Sequence, residues 1–69
     1  MRQTFELNGE FIELHKLLKL TGVAGSGGSA KVMIAEGEVF VDGAAELRKR
    51  CKVKRGQVVS CGEEEIAVV

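Results

Sequence analysis

The chain has 69 residues and a formal net charge of zero, from ten basic and ten acidic side chains. Folding at this length buries only ~60% of the unfolded surface, which argues against a deep active-site cavity and predicts a single domain over residues 1–69. The apolar content of 45% is typical of a globular chain, and three Phe with no Trp or Tyr leave little material for stacking bases.

The first predicted elements are a short strand and a helix. Residues 3–7 alternate polar and apolar side chains, as in a strand with one buried face. Apolar residues then recur at helical spacing from Phe11 to Leu20, and Gly22 follows as a helix stop. Lys16 and Lys19 lie off this apolar stripe and share a polar face.

A second helix is predicted after the glycine-rich stretch GSGGSA. Ser26 is the best N-cap candidate, Ala30, Met33 and Ile34 recur at helical spacing, and Gly37 ends the helix. The stretch also matches G-x-G-x-x-A, but a dinucleotide site needs a preceding strand and a βαβ unit, so no cofactor is expected. A flexible connection and an anion site at the helix start both remain open.

The rest of the chain is predicted to be strands. Residues 39–41 form a strand that turns at Asp42-Gly43 into a second strand at 46–48, and a final hairpin pairs residues 58–61 with 66–69. This order predicts an α+β fold, with two tandem helices packed on a small, mainly antiparallel sheet.

The charges are unevenly distributed along the chain. Nine of the ten basic residues lie in two segments without acidic residues, 14–35 and 47–56. Six of the eight residues from Arg48 to Arg55 are basic. If the fold brings the two segments together, a neutral protein acquires a cationic surface that attracts a polyanion.

The alternation within 48–55 predicts how this segment is used. An extended chain places Arg48, Arg50, Lys52 and Lys54 on one face, and turns Cys51 and Val53 inward on the other. Protection of an edge strand against aggregation would produce the same alternation, but it requires fewer cations than this segment contains. Because six cations repel one another and arginine offers a planar fork for phosphate, the pattern favours a nucleic-acid surface.

These features resemble a known family. The stretch LLKLTGVAGSGGSAKVMIAEGEVFVDG, followed by a basic strand and KVKRGQVV, is similar to the alpha-L RNA-binding motif of the ribosomal-protein S-four-type domain, especially its small stand-alone bacterial members. The resemblance covers nearly the whole chain. It implies that the two helices pack on a small sheet, and that RNA meets a face formed by the start of the second helix and the hairpin region.

The resemblance implies specific site residues. Those it implicates are Ser26, Gly27, Ser29, Lys31, Asp42, Gly43, Arg48, Lys49 and Arg50, and the charge distribution adds Lys16, Lys19, Lys52, Lys54 and Arg55. The chain departs from the wider family at Gly27, where many members have arginine, and at Asp42, where asparagine is usual.

Other functions find less support. His15 is the only histidine, Glu63 to Glu65 occupy a predicted turn, and Cys51 and Cys61 have no redox or zinc spacing, so no catalytic or metal site is expected. Nothing predicts a signal peptide or membrane segment, which indicates the cytoplasm. Structured RNA is the expected partner, with ribosomal RNA or a ribonucleoprotein as a candidate, and no small-molecule substrate is expected. An acidic protein bound by the same face is the alternative.

Overall fold

Two helices and seven strands make up the protein in the computed structural model, which describes residues 1–69. In chain order they are β1 (Arg2–Phe5), β2 (Ile12–Glu13), α1 (Leu14–Leu20), α2 (Gly27–Ala35), β3 (Val39–Val41), β4 (Ala44–Ala45), β5 (Lys52–Val53), β6 (Val58–Cys61) and β7 (Glu64–Val68).

Five of the strands form one sheet in the order β1-β7-β6-β3-β4. The pairs β7-β6, β6-β3 and β3-β4 are antiparallel, whereas β1 runs parallel to β7 with Gln3 opposite Ile66. β2 and β5 form a separate two-stranded antiparallel sheet. The predicted α+β fold with a mainly antiparallel sheet is therefore confirmed.

The helices and the main sheet share one hydrophobic core of 13 buried residues. α1 contributes Leu14, Leu17 and Leu18, and α2 contributes Ala30 and Ile34. The sheet contributes β-branched side chains from β3, β6 and β7, which suit a pleated surface. Neither helix has the length and hydropathy needed to cross a bilayer.

Local sequence chemistry sets several boundaries as predicted. The hydroxyl of Ser26 accepts a hydrogen bond from the Ser29 N–H at 3.1 Å, which caps the start of α2. Gly37 follows α2 with φ of 77°, a left-handed conformation that glycine adopts without a steric penalty. Asp42 and Gly43 both have positive φ, of 51° and 85°, as a two-residue turn between antiparallel strands requires.

The predicted start of the first helix at Phe11 is wrong. α1 begins at Leu14, because Ile12 and Glu13 pair with Val53 and Lys52 in a short ladder. Phe11 therefore lies outside the helix and is partly exposed. Phe11 matches the helical spacing of the apolar residues by chance. The strand pairing that overrides this spacing joins positions about forty residues apart in the chain.

The strand predicted at residues 46–48 is also misplaced. The turn is so tight that pairing resumes at once, with Val41 opposite Ala44 and Phe40 opposite Ala45. The strand then ends before Glu46, whose carboxylate accepts a hydrogen bond from the backbone N–H of Arg48 at 3.0 Å. The first and last strands of the chain, β1 and β7, each begin and end one or two residues earlier than predicted.

The core predicts a contrast between two leucines of α1. Leu17 is fully buried, whereas Leu20 is 65% exposed. We expect Leu17→Ala to lower the free energy of unfolding by roughly 2 to 5 kcal/mol through lost burial and a residual cavity. Leu20→Ala should change it by no more than about 0.5 kcal/mol in the same urea titration. Equal losses in the two variants would contradict this packing of α1.

Candidate nucleic-acid interface

The basic segment, residues 47–55, is held against the start of α1 by backbone hydrogen bonds. The N–H groups of Leu14 and His15 donate to the carbonyls of Cys51 and Lys49 at 2.9 and 3.0 Å. These donors belong to the first turn of a helix, where no partner exists within the helix itself. The segment therefore supplies hydrogen-bond acceptors to the first-turn N–H groups of α1. The same bonds fix the path of the segment.

The side chains of this segment follow the predicted alternation in part. Val53 is fully buried and Cys51 is partly buried, while Arg48, Arg50 and the other predicted outward cations are exposed. Lys49 is exposed as well, although alternation placed it on the inner face. The reason is that only Lys52–Val53 is a regular strand, and Lys49 and Arg50 form a turn.

A groove of about 870 Å³ lies between α2 and the basic segment. Five cationic residues line it: Lys31 from α2, and Arg48, Lys49, Arg50 and Lys52 from the segment. Both acid-free stretches of the sequence thus contribute to one concave surface. No carboxylate is among the lining residues, so the groove presents one sign of charge in a protein of zero net charge.

The same groove contains apolar side chains that sequence reasoning missed. Val32 and Ala35 line it from α2, and Leu47 lines it from the segment. Val32 is 57% exposed and Leu47 is 64% exposed. The sequence did contain a signal for their exposure. Val32 falls outside the apolar stripe of its helix, and Leu47 immediately precedes the cations.

Glu46 shapes the beginning of the basic segment. Its carboxylate accepts hydrogen bonds from Nε and NH2 of Arg48, at 2.9 and 3.1 Å, in a two-pronged pair. These bonds, with that from the Arg48 backbone, lower the pKa of Glu46 from 4.5 to about 2. Arg48 is therefore the one groove cation in an ion pair. The other four have no carboxylate oxygen within 4.0 Å.

Lys52 lies over an aromatic ring at the edge of the groove. Its Nζ is 5.0 Å from the centroid of the Phe11 ring, within the range of a cation–π contact. The contact restricts the Lys52 side chain without removing its charge. Phe11, displaced from the predicted helix, thus has a defined role beside the segment.

Nine of the fourteen predicted site residues do not line the groove. Lys16 contacts Glu13 at 3.6 Å on the exposed side of α1. The serines lie at the start of α2, where Ser26 serves as the cap. The nine are Lys16, Lys19, Ser26, Gly27, Ser29, Asp42, Gly43, Lys54 and Arg55.

Asp42 and Arg55, like Ser26, have a clear structural role. The Asp42 carboxylate accepts a hydrogen bond from the Val58 N–H at 2.9 Å and so ties the hairpin turn to β6. The Arg55 guanidinium donates to the carbonyls of Gly9 and Leu7 at 2.8 and 2.6 Å. Both charged side chains thus form hydrogen bonds with backbone groups that hold the fold together.

The single histidine and the two cysteines form no catalytic or metal-binding cluster. His15 lies 3.2 Å from Glu13 through its Nε2, and no group of three or more His, Cys, Asp or Glu residues is placed to hold a metal ion. Cys51 and Cys61 are free thiols, and burial raises the pKa of each. Both thiols are therefore protonated near neutral pH.

The fold and the groove define a class of protein: a small α+β module that carries a cationic surface beside its second helix. Comparison with known families identifies it further. Residues 5–69 match the family model described as the S4 domain. The chain belongs to the S4 domain family, which confirms the resemblance seen in the sequence.

Two relatives are similar in sequence, and a solved structure of one of them has the same fold. YbcJ of Escherichia coli strain K12, to which its name provisionally assigns RNA binding, and YbcJ of Shigella flexneri, whose name assigns no function, are each 55% identical over 58 residues. The match covers 84% of this chain and 83% of each relative. The solution structure of E. coli YbcJ, described as revealing an alfaL motif involved in RNA binding, has a TM-score of 0.75 at 52% identity. The structural alignment covers 96% of this chain and 85% of the YbcJ chain.

The Glu46–Arg48 pair predicts an unusual titration. Because the folded-state pKa is lowered, the stabilising effect of the carboxylate is complete above pH 4.5 and is lost only as the pH falls through about 2. NMR titration of the Glu46 carboxyl carbon should give a midpoint near 2. In Arg48→Ala the midpoint should rise towards 4.5, and a wild-type midpoint already at that value would disprove the pair.

Proposed function

We propose that this protein binds structured RNA through the cationic groove between α2 and the basic segment. The observation that carries the proposal is the convergence of Lys31, Lys49, Arg50 and Lys52 on one concave surface without an ion-pair partner. Membership of the S4 domain family supports it, as do the RNA-binding descriptions of the YbcJ relatives.

Physical chemistry favours a polyanion as the ligand of this surface. Four free cations within one groove repel one another, and a phosphate backbone relieves that repulsion while releasing its own counterions. The guanidinium of Arg50 can hold a phosphate with two parallel hydrogen bonds. None of the three Phe residues lines the groove, so successive bases of a single strand have no aromatic platform there.

The RNA class in the proposal follows from this geometry. A rigid surface held by backbone hydrogen bonds suits an RNA whose phosphates are themselves fixed in space, as in folded ribosomal or tRNA-like structures. The protein then acts by binding alone, in the cytoplasm, with a ribosome or another ribonucleoprotein as a candidate partner. Catalysis, a cofactor and a small-molecule substrate have no part in the proposal.

The salt dependence of binding tests the groove directly. With about four to six phosphate contacts, the logarithm of the affinity should fall against the logarithm of salt with a slope of very roughly −3 to −5. Replacing Lys49 and Arg50 together by Ala should reduce the steepness of that slope by about 1.5 and weaken binding to several structured RNAs alike. Fluorescence anisotropy across a salt series measures both quantities.

Arg2→Ala serves as a charge control for the single substitution Lys49→Ala. Arg2 lies on β1, at the opposite edge of the main sheet from β4, and Arg2→Ala changes the net charge by the same amount as Lys49→Ala. Its salt slope should equal that of the wild type. If the Arg2 and Lys49 variants behave identically, binding depends on total charge and the groove is not the site.

The alternative, an acidic protein partner, has a separate test. We expect RNase treatment of a cell lysate to remove the partners that co-purify with the tagged protein, because RNA holds them together. The Lys49→Ala/Arg50→Ala variant should lose the same partners without RNase. Retention of a stoichiometric protein after RNase, and its loss in the variant, would assign the groove to a protein.

A further inference from the structure

The groove is not purely cationic, and its apolar part is unexplained by phosphate binding. Val32 and Leu47 come from different elements, α2 and the basic segment, and both line the groove while remaining more than half exposed. Ala35 and Cys51 add to the same lining. Because burial raises the pKa of its thiol, Cys51 is neutral and behaves as a small apolar side chain.

Exposure of these residues has a cost that the fold does not require. Neither Val32 nor Leu47 belongs to the buried core, and a polar residue at either position would leave the core intact. Single exposed apolar residues are common on protein surfaces. Two that line one groove, from two elements and surrounded by five cations, form a combined surface whose ligand must have an apolar face and a negative charge.

A nucleotide extruded from its helix has both properties. Its base offers a flat apolar face. The phosphate groups on either side of the nucleotide lie close to that face and carry negative charge. Bases inside an A-form helix are stacked and cannot reach such a groove, whereas bases in bulges and loops can. The volume of about 870 Å³ is within the usual range of small-ligand sites, roughly 300 to 1,000 Å³, so the groove has room for an extruded nucleotide.

We propose that the groove receives one unpaired nucleotide of a structured RNA, with its base against Val32 and Leu47 and its flanking phosphates on Lys31, Lys49 and Arg50. This rests on the proposed RNA binding and adds what the cations alone do not supply, a preference for RNA helices that carry a bulged or flipped-out base. Because the contact with the base is aliphatic, it favours large purine faces.

Three RNA hairpins of one stem sequence test the inference: one with a single bulged adenosine, one with an abasic residue at the bulge, and one fully paired. The abasic hairpin keeps every phosphate and removes only the base. At fixed salt, the wild-type protein should bind the adenosine bulge about five-fold more tightly than the abasic bulge, at the low end of the effect seen for base stacking on aromatic side chains.

Leu47→Ser and Val32→Ser should each reduce that ratio towards one, because they weaken binding of the adenosine bulge more than binding of the abasic hairpin. Leu20→Ser is the matched control, since Leu20 is as exposed as Leu47 and does not line the groove. It should keep the five-fold ratio. Urea titration of all three variants establishes that they are folded, as expected for exposed positions.

The possible failures are distinguishable. If the wild type binds all three hairpins equally and in a salt-dependent manner, the protein binds RNA but the base-binding inference is overturned. The same follows if Leu47→Ser retains the preference. If none of the hairpins is bound, the proposed function fails together with the inference. If sedimentation instead shows a wild-type dimer that Leu47→Ser dissociates, the apolar lining is a contact between two copies of the chain.

Discussion

The arrangement of this protein depends on the backbone pairing between the start of α1 and the basic segment. Leu14 and His15 donate to the carbonyls of Cys51 and Lys49, and β2 pairs with β5 just beyond them. Each bond satisfies a helix donor that would otherwise need water or a capping side chain. Since main-chain atoms make these contacts, Lys49 and Arg50 need no side-chain bond to hold the segment, and neither has an ion-pair partner. Val53, buried in the core, holds the segment on its inner side.

The two helices use their N-terminal groups differently, and this bears on where an anion binds. The first-turn donors of α1 are occupied by the segment, while the start of α2 is capped by Ser26. The positive charge within the groove comes from the side chains of Lys31 and of the basic segment. Glu46 refines it further, because it neutralises Arg48 while fixing the backbone that presents Lys49 and Arg50. One acidic residue thus organises a basic surface.

Features that depend on a few neighbouring residues could be predicted from the sequence. The Ser26 cap, the glycine stop at Gly37 and the Asp42-Gly43 turn are local, as is the inward direction of Cys51 and Val53. The fold class followed from the order of these elements. The same order predicted the packing of the helices on the sheet, and the family resemblance implied it independently.

Features that depend on distant residues could not be predicted. The start of α1 is set by pairing with Lys52–Val53, and Arg55 is occupied by carbonyls near residue 8. Neither partner is visible in a local window. The apolar lining was missed for a related reason, since the exposure of Leu47 is decided by how α2 packs beside it. The predicted cations outside the groove have the same charge as those that line it. The sequence alone did not show that the fold places them elsewhere.

The parallel pairing of β1 with β7 has a consequence for how the chain folds. β7 lies between β1 and β6, so the first strand has no partner in the sheet until the last strand is present. The loop closed by this pairing spans nearly the whole chain, and such non-local contacts slow folding compared with a helical bundle of equal size. During synthesis the cationic segment is therefore made before the sheet can close. Loss of even the last few residues would separate β1 from β6 and leave two unpaired edges.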